Sequence, residues 1–254
     1  MISLNEITVG LKEPTGSDVI HLRTLRKVIG LVAVGLAPVL AIGENIRDAL
    51  LPHASRPGRE ILEGSISAYF HTGMREAFVG SLCAIAVFLM CYKGYEKRDN
   101  IAANIAGFCA FLVAFFPTRE RSQEAADTGV PLVDSATLFS TANAPDPAYV
   151  GYVHFISAAI LFATLAVMSL FLFTLSTKPV KTEEKKTRNK VYVACGVTIL
   201  VCVVFIIIGK FSLGQEFSEQ TKFVFWLETI AVTAFGISWL TKAEVFFPDS
   251  EVTQ

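Results

Sequence analysis

The sequence predicts an all-α polytopic membrane protein, a bundle of six transmembrane helices with both termini in the cytoplasm. Composition and charge distribution support this fold class. Hydrophobic residues make up 52% of the 254 residues, and the mean hydropathy is +0.51, which exceeds the range of ordinary soluble domains. Charged residues make up only 18% and fall between long apolar runs, as expected for membrane spans and the loops that join them.

Six apolar runs are close to the length that a membrane span requires. A hydrocarbon core about 30 Å thick needs roughly twenty helical residues. The predicted spans are residues 27–44, 76–95, 101–117, 149–175, 191–209 and 223–240. The third is the shortest, and its helix is expected to begin near Asn100, because Asp99 and Asn100 are good N-caps. Residues 1–254 are therefore predicted to form a single transmembrane domain.

The first run is expected to remain in the protein as a membrane anchor. It is longer than the apolar region of a typical secretory signal peptide, 26 residues precede it, and no A-x-A cleavage pattern follows it.

Lys and Arg residues predict the orientation, because cationic connections are retained on the cytoplasmic side. Fourteen of the 22 basic residues lie in the N-terminal segment, the second and fourth connections and the C-terminal tail. The other eight are spread over the remaining, much longer connections. The sequence therefore predicts that both termini are cytoplasmic.

Two long connections are predicted to be extracytoplasmic loops, residues 45–75 and 118–148. Loops of this length commonly have a functional role. Tyr69, Phe70, Tyr149 and Tyr152 are expected at the level of the lipid headgroups, where amphipathic rings are favoured. The second loop is acidic and is expected to be solvated; its acidic residues are Glu120, Glu124, Asp127, Asp134 and Asp146.

Charge and cysteine content argue against a nucleic-acid-binding protein and against a fold held by disulfides or a cysteine metal motif. The net charge of −1 lacks the basic surplus typical of nucleic-acid binding. All five cysteines lie within predicted spans, and their spacing forms neither a C-x-x-C metal motif nor a disulfide framework. These thiols are expected to pack as small apolar groups.

Two ionisable residues lie clearly inside predicted spans rather than near their ends, and a charge there costs several kcal/mol unless it has a partner or a cavity. His154 is about five residues into the fourth span and Glu228 about six into the sixth. Both spans run inward, so both side chains are expected roughly 7 to 9 Å below the outer boundary. Arg75 and Glu76 open the second span at the same side. Which face of the sixth helix points into the bundle is left open by the sequence.

These four residues, Arg75, Glu76, His154 and Glu228, are the predicted ligand-binding residues. A structural interpretation pairs Glu228 with Arg75 and gives His154 a hydrogen bond to a neighbour. A functional interpretation makes them the wall of an outward-facing polar pocket for a lipid or small solute. We expect a protein that binds such a ligand without enzymatic activity, as a transporter or sensor, and that needs no cofactor.

A metal site is the enzymatic alternative. Two imidazoles and a carboxylate form a known zinc ligand set with an open position. His71, His154 and Glu228 would supply this set, and Glu76 is a second candidate for the carboxylate. The corresponding activity would be a zinc-dependent hydrolysis of a membrane lipid. A third hypothesis is a membrane scaffold whose outward loops recruit a protein partner.

About half of the chain resembles a group of functionally uncharacterised bacterial six-span inner-membrane proteins. The similarity begins with residues 65–80, SISAYFHTGMREAFVG, and continues through the Phe-Pro-Thr turn at residues 116–118. Residues 92–95, 99–101, 153–155 and 188–192 share it. This resemblance implies a bacterial inner-membrane location.

A second resemblance is to the alkaline-ceramidase and progestin-receptor superfamily, whose seven-helix bundles bind zinc through a Ser-x3-His element, an Asp and a His pair. Ser67 and His71 resemble the first element. Asp99, the counterpart of the Asp, is expected on the opposite side of the membrane, roughly a bilayer away. A His-x3-His pair around His154 is missing, because positions 150 and 158 are Val and Ala.

Overall fold

A computed structural model describes residues 16–51, 61–94, 96–118, 148–176, 182–212 and 220–248. Within these ranges the chain is helical and has no β-strand. The six long helices are α1 (Gly16–Leu50), α2 (Arg75–Cys91), α3 (Lys97–Phe115), α4 (Ala148–Val167), α5 (Glu183–Ser212) and α6 (Phe223–Lys242). The prediction of six helical segments is thereby confirmed, whereas the acidic residues of the second long loop lie outside the described ranges.

The helices form an up-and-down bundle in which each packs against the next and α6 closes the ring against α1. At one end Arg26 of α1 lies near Tyr92 after α2, and Tyr92 contacts Trp239 near the end of α6. At the other end the starts of α2, α4 and α6 meet the ends of α1, α3 and α5. We call these the basic end and the cavity end.

Four helical segments are long and apolar enough to cross a membrane, namely Leu22–Leu50, Tyr149–Leu172, Glu183–Lys210 and Phe223–Lys242. They are compatible with an integral, multi-pass membrane protein. Helix α2 has 17 residues, about 26 Å of helix, and is therefore slightly shorter than the hydrocarbon core. Three of the 19 residues of α3 are the charged Lys97, Arg98 and Asp99.

Several helix boundaries differ from the sequence prediction. Helix α1 continues to Leu50, so its last turn occupies what was predicted as the start of the first loop. Helix α3 starts at Lys97 rather than Asn100, because Glu96 is the N-cap and Asp99 completes a capping box with it. The side chain of Asp99 accepts a hydrogen bond from Glu96 N at 3.1 Å. Capping chemistry thus extends α3 beyond its apolar run.

Helix α4 changes its winding at the basic end, where residues Met168–Leu172 form a π-helical turn. Helix α5 begins at Glu183, eight residues before its apolar run. Its first turn carries acidic residues, Glu183 and Glu184, which favour the positive end of a helix dipole.

The segment before α2 is folded into the bundle. Residues Ser67–His71 form a 3-10 helix, and Tyr69 and Phe70 are 0% and 6% exposed. The prediction that these two rings face the lipid headgroups is therefore wrong, because the segment packs against α2 and the first turn of α6. Tyr149 and Tyr152 are exposed, as interfacial rings would be.

Glycines let helix backbones approach closely at two crossings. A Cβ added at Gly236 of α6 would lie 2.7 Å from the carbonyl oxygen of Gly30 in α1. A Cβ added at Gly107 of α3 would lie 2.8 Å from the carbonyl oxygen of Ala86 in α2. Small residues at such contacts are typical of membrane helix packing.

Candidate functional site

A cavity lies inside the cavity-end half of the bundle, between the 3-10 segment and helices α1, α2, α3, α4 and α6. Thirteen of its sixteen lining residues are apolar, and the polar ones are Ser67, His154 and Glu228. Two of the four predicted ligand residues therefore line one cavity, although its wall is mainly apolar where the sequence predicts a polar pocket.

The cavity is narrow and elongated. Its volume is about 70 Å³, whereas a single water molecule requires roughly 10 to 15 Å³ by this measure. Along α4 its lining runs from His154 to Leu165, which corresponds to about 16 Å of helix. The ionisable side chains lie toward one end of this length, and Phe235 and Leu165 lie toward the other. The space therefore has the form of a short apolar channel with a polar end.

Glu228 holds the segment that closes the polar end. Its Oε2 accepts a hydrogen bond from the backbone N–H of Ile66 at 2.7 Å. One turn earlier, the N–H of Phe225 donates to the carbonyl oxygen of Gly64 at 3.0 Å. The first two turns of α6 are thus bonded to residues 64–66, and Ile66 and Ser67 line the cavity beneath.

His154 is buried at the start of α4, with 3% of its surface exposed. Its Nδ1 donates to the carbonyl oxygen of Phe116 at 2.6 Å. The predicted hydrogen bond of His154 to a neighbour is therefore present. In the neutral imidazole this geometry leaves Nε2 as a hydrogen-bond acceptor.

His71 makes a similar contact from the 3-10 segment. Its Nε2 donates to the carbonyl oxygen of Thr118 at 2.8 Å. The two imidazoles thus hold the buried turn of residues 116–118, which follows α3. Carbonyl groups at a helix C-terminus lack intrahelical donors, so this pairing satisfies part of that end.

The other two predicted ligand residues lie apart from the cavity wall. The guanidinium of Arg75 is over the ring of Phe70, with 4.4 Å between Cζ and the ring centroid. Glu76 is exposed on α2. Neither residue lines the cavity. The pairing of Arg75 with Glu228 stays a prediction.

Among the described residues, no group of three His, Cys, Asp or Glu side chains is placed to hold a metal ion. His71, His154 and Glu228 each use one polar atom on backbone groups. The zinc hypothesis stays a prediction that metal analysis of the purified protein, with and without His71→Ala, would test.

The sequence does not predict that the 3-10 segment packs inside the bundle. Its partly apolar character was visible, since residues 61–70 include Leu62, Ile66 and Phe70. The backbone bonds between this segment and α6 depend on tertiary contacts, which hydropathy does not encode. The same contacts resolve the face of α6: Glu228, Val232 and Phe235 face the cavity, and Gly236 packs on α1.

Comparison of the chain with models of protein families, with curated proteins and with solved structures finds no significant match. The case for a function therefore comes from the cavity and the residues around it.

Proposed function

We propose that this chain is a six-span inner-membrane protein with cytoplasmic termini that binds an amphipathic ligand, a lipid or a small solute, in the cavity. The apolar part of the ligand occupies the channel, and its polar part lies near Glu228 and His154. The protein acts without chemistry on the ligand, as a transporter or sensor.

The observation that carries this proposal is the combination of two ionisable side chains with an apolar cavity. An acidic side chain within a membrane helix is costly and is usually retained where it has a role. A ligand pocket is typically apolar with a few polar groups that orient the ligand. Glu228 and His154 provide that polar minority here.

A purely structural role for Glu228 makes a different prediction from ligand binding. The backbone bond from Ile66 requires only an acceptor oxygen, which the amide of Gln also supplies. Glu228→Gln therefore preserves the closure of the cavity and removes the negative charge. If the charge serves the ligand, this variant loses ligand while its stability changes little.

The experiment measures lipid and solute that remain bound after purification, by native mass spectrometry. We expect ligand on the wild-type protein, loss with Glu228→Gln, and loss with Ala158→Leu, which fills the cavity from its α4 wall. Ala159→Leu is the matched control, because Ala159 is the next residue on α4 and is exposed. Equal ligand occupancy in the wild type, Glu228→Gln and Ala158→Leu would contradict the proposal.

The orientation is tested by labelling single cysteines in an otherwise cysteine-free protein with a membrane-impermeant maleimide. Gln220, at the cavity end, and Ser176, at the basic end, are both exposed. We expect Gln220→Cys to react in intact spheroplasts and Ser176→Cys to react only after permeabilisation. The reverse pattern would place the cavity end in the cytoplasm.

A further inference from the structure

Three helices that all start at the cavity end, α2, α4 and α6, line the channel in the same way. Their lining residues recur at steps of three or four, which places them on one face of each helix. On α2 these residues are Phe78, Leu82 and Ile85, and on α6 they are Glu228, Val232 and Phe235. The lining of α4 follows the same steps from residue 154 to residue 165. Three mainly apolar stripes thus enclose one space that runs along the bundle.

The channel is about as wide as one hydrocarbon chain. Its volume of about 70 Å³ corresponds to about five to seven water-sized spheres. Such spheres are about 2.8 Å across, so a single file of them nearly spans the channel length of about 16 Å. Two chains side by side, or a fused ring system, would need a wider space. The channel therefore suits one unbranched chain.

The far end of the channel is closed by tightly packed side chains. Leu165 and Phe235, which we call the floor of the channel, are 4% and 3% exposed. The ring of Phe235 contacts that of Trp239, with 6.1 Å between their centroids, and Trp239 is completely buried. Trp239 in turn contacts Tyr92 and Phe173. Because a close-packed interior yields little, the floor fixes the length of the channel.

A fixed channel length selects a chain length. The zigzag of an alkyl chain advances about 1.25 Å for each carbon–carbon bond of about 1.5 Å. A channel of about 16 Å therefore holds roughly 12 carbon atoms. A shorter chain would leave part of the apolar wall without contacts, and a longer chain would place apolar carbon atoms among the polar groups.

The polar end of the channel favours a head group that donates hydrogen bonds. The Nδ1 hydrogen of His154 is used on the carbonyl oxygen of Phe116, which leaves Nε2 of the neutral imidazole as an acceptor. The carboxylate of Glu228 also accepts hydrogen bonds and donates none. The third polar residue, Ser67, has a hydroxyl that can do both. No lysine or arginine occurs among the described residues that line the cavity.

We propose that the ligand of this channel is a single-chain amphiphile with roughly 12 carbon atoms and a hydroxyl or amine head group. The chain reaches the floor, and the head group donates to Glu228 and His154. This inference rests on the proposed binding of a ligand in the cavity and adds the chemical class of that ligand. It excludes phospholipids, whose second chain has no space in the channel, and lipids built on ring systems.

The test uses the full-length protein in phosphatidylcholine nanodiscs that contain an equimolar series of 1-alkanols. Their chains run from about 8 to about 18 carbon atoms, which brackets the length of the channel. Native mass spectrometry identifies the chain that is retained, and we expect one alkanol per protein with the highest occupancy near 12 carbon atoms. Equal occupancy across the series, or bound phosphatidylcholine instead, would overturn this inference and leave the proposed function standing. A protein with no bound molecule of any kind would contradict both.

Variants of the floor should move the preferred chain length in opposite directions. Leu165→Phe adds bulk at the far end and should shift the preference by about two carbon atoms toward shorter chains. Phe235→Leu removes bulk there and should shift it toward longer chains. Val167→Phe is the control, because Val167 ends the same helix as Leu165 and is 45% exposed. If one floor variant fails to fold, the other decides, and an unchanged preference in a folded floor variant would overturn the assignment of the floor.

The head group is tested with 1-dodecanol and dodecyl methyl ether. The two molecules have the same alkyl chain and an acceptor oxygen at the same place, but the ether has no hydrogen to donate. We expect the ether to bind about tenfold more weakly, because a hydrogen bond to a charged group is lost. Equal affinity for the two molecules would overturn the assignment of a donating head group.

Discussion

The interior of the bundle is packed differently at its two ends, although the same six helices form both. At the basic end, aromatic rings and glycine crossings fill the interior; Trp239 is 0% exposed, and the α1 and α6 backbones meet at Gly30 and Gly236. At the cavity end, a 3-10 segment is inserted between the helices, and a channel is left beneath it.

The polar side chains at the two ends also differ in the groups that they contact. At the basic end, cations lie over aromatic rings and donate hydrogen bonds to backbone carbonyl groups. At the cavity end, His71, His154 and Glu228 each bind backbone groups of the segments that surround the channel. The comparison indicates that substitutions at the basic end should mainly change stability, whereas substitutions at the cavity end should mainly change ligand binding.

The largest expected effect is at the basic end, on the aromatic cluster formed by Tyr92, Phe173, Tyr192 and Trp239. Trp239→Ala removes the ring at its centre and should lower the free energy of unfolding by about 3 to 5 kcal/mol, as a large core truncation does. Trp226→Ala is the control, because Trp226 is 52% exposed, and it should change stability by less than about 1 kcal/mol. Unfolding in mixed micelles measures the free energy of unfolding of both variants. Similar losses in the two variants would contradict dense packing at the basic end.

The next effect is at the crossing of α1 and α6. Gly236→Leu should cost about 1 to 3 kcal/mol, because the new side chain meets the backbone of Gly30. Gly35→Leu on α1 is the control, since a Cβ there has no atom within 4 Å. Both variants are compared in the same unfolding assay. An unchanged free energy of unfolding in Gly236→Leu would show that α1 and α6 can separate here without loss of stability.

A third effect concerns the closure of the cavity. Glu228→Leu removes the acceptor of the Ile66 N–H, and amide hydrogen exchange at Ile66 should become about tenfold faster, as the loss of a hydrogen bond permits. Glu228→Gln retains an acceptor and should leave the exchange rate within about threefold of the wild type. Equal rates in all three proteins would show that Glu228 does not hold this segment.

The smallest effect is expected at the surface of the basic end. Arg23→Gln removes the ion pair with Glu244, in which the Arg23 side chain is 53% exposed. Exposed pairs contribute about 0 to 1 kcal/mol. We therefore expect the free energy of unfolding to fall by less than about 1 kcal/mol, and this loss should decrease with added salt. A larger loss would indicate that the pair holds α1 against the end of α6.

Hydropathy predicts six helices from six apolar runs of about the length of a membrane span, and the described residues form six long helices. It places the boundaries less well, since Glu96, Asp99 and Glu183 extend helices through polar residues that cap or start them. Residue counts along the helices predict one depth for His154 and Glu228, and both residues line the cavity. The burial of Tyr69 could not be predicted, because the residues around it, such as Phe225, come from segments distant in the sequence.

The central claim is that the channel between His154 and Glu228 holds a ligand. An experimental density map of the full-length protein in lipid nanodiscs tests it most directly. We expect continuous density along the channel, with its polar end within hydrogen-bonding distance of Glu228 or His154. An empty channel in a well-resolved map, with both side chains bonded only to backbone groups, would contradict the account.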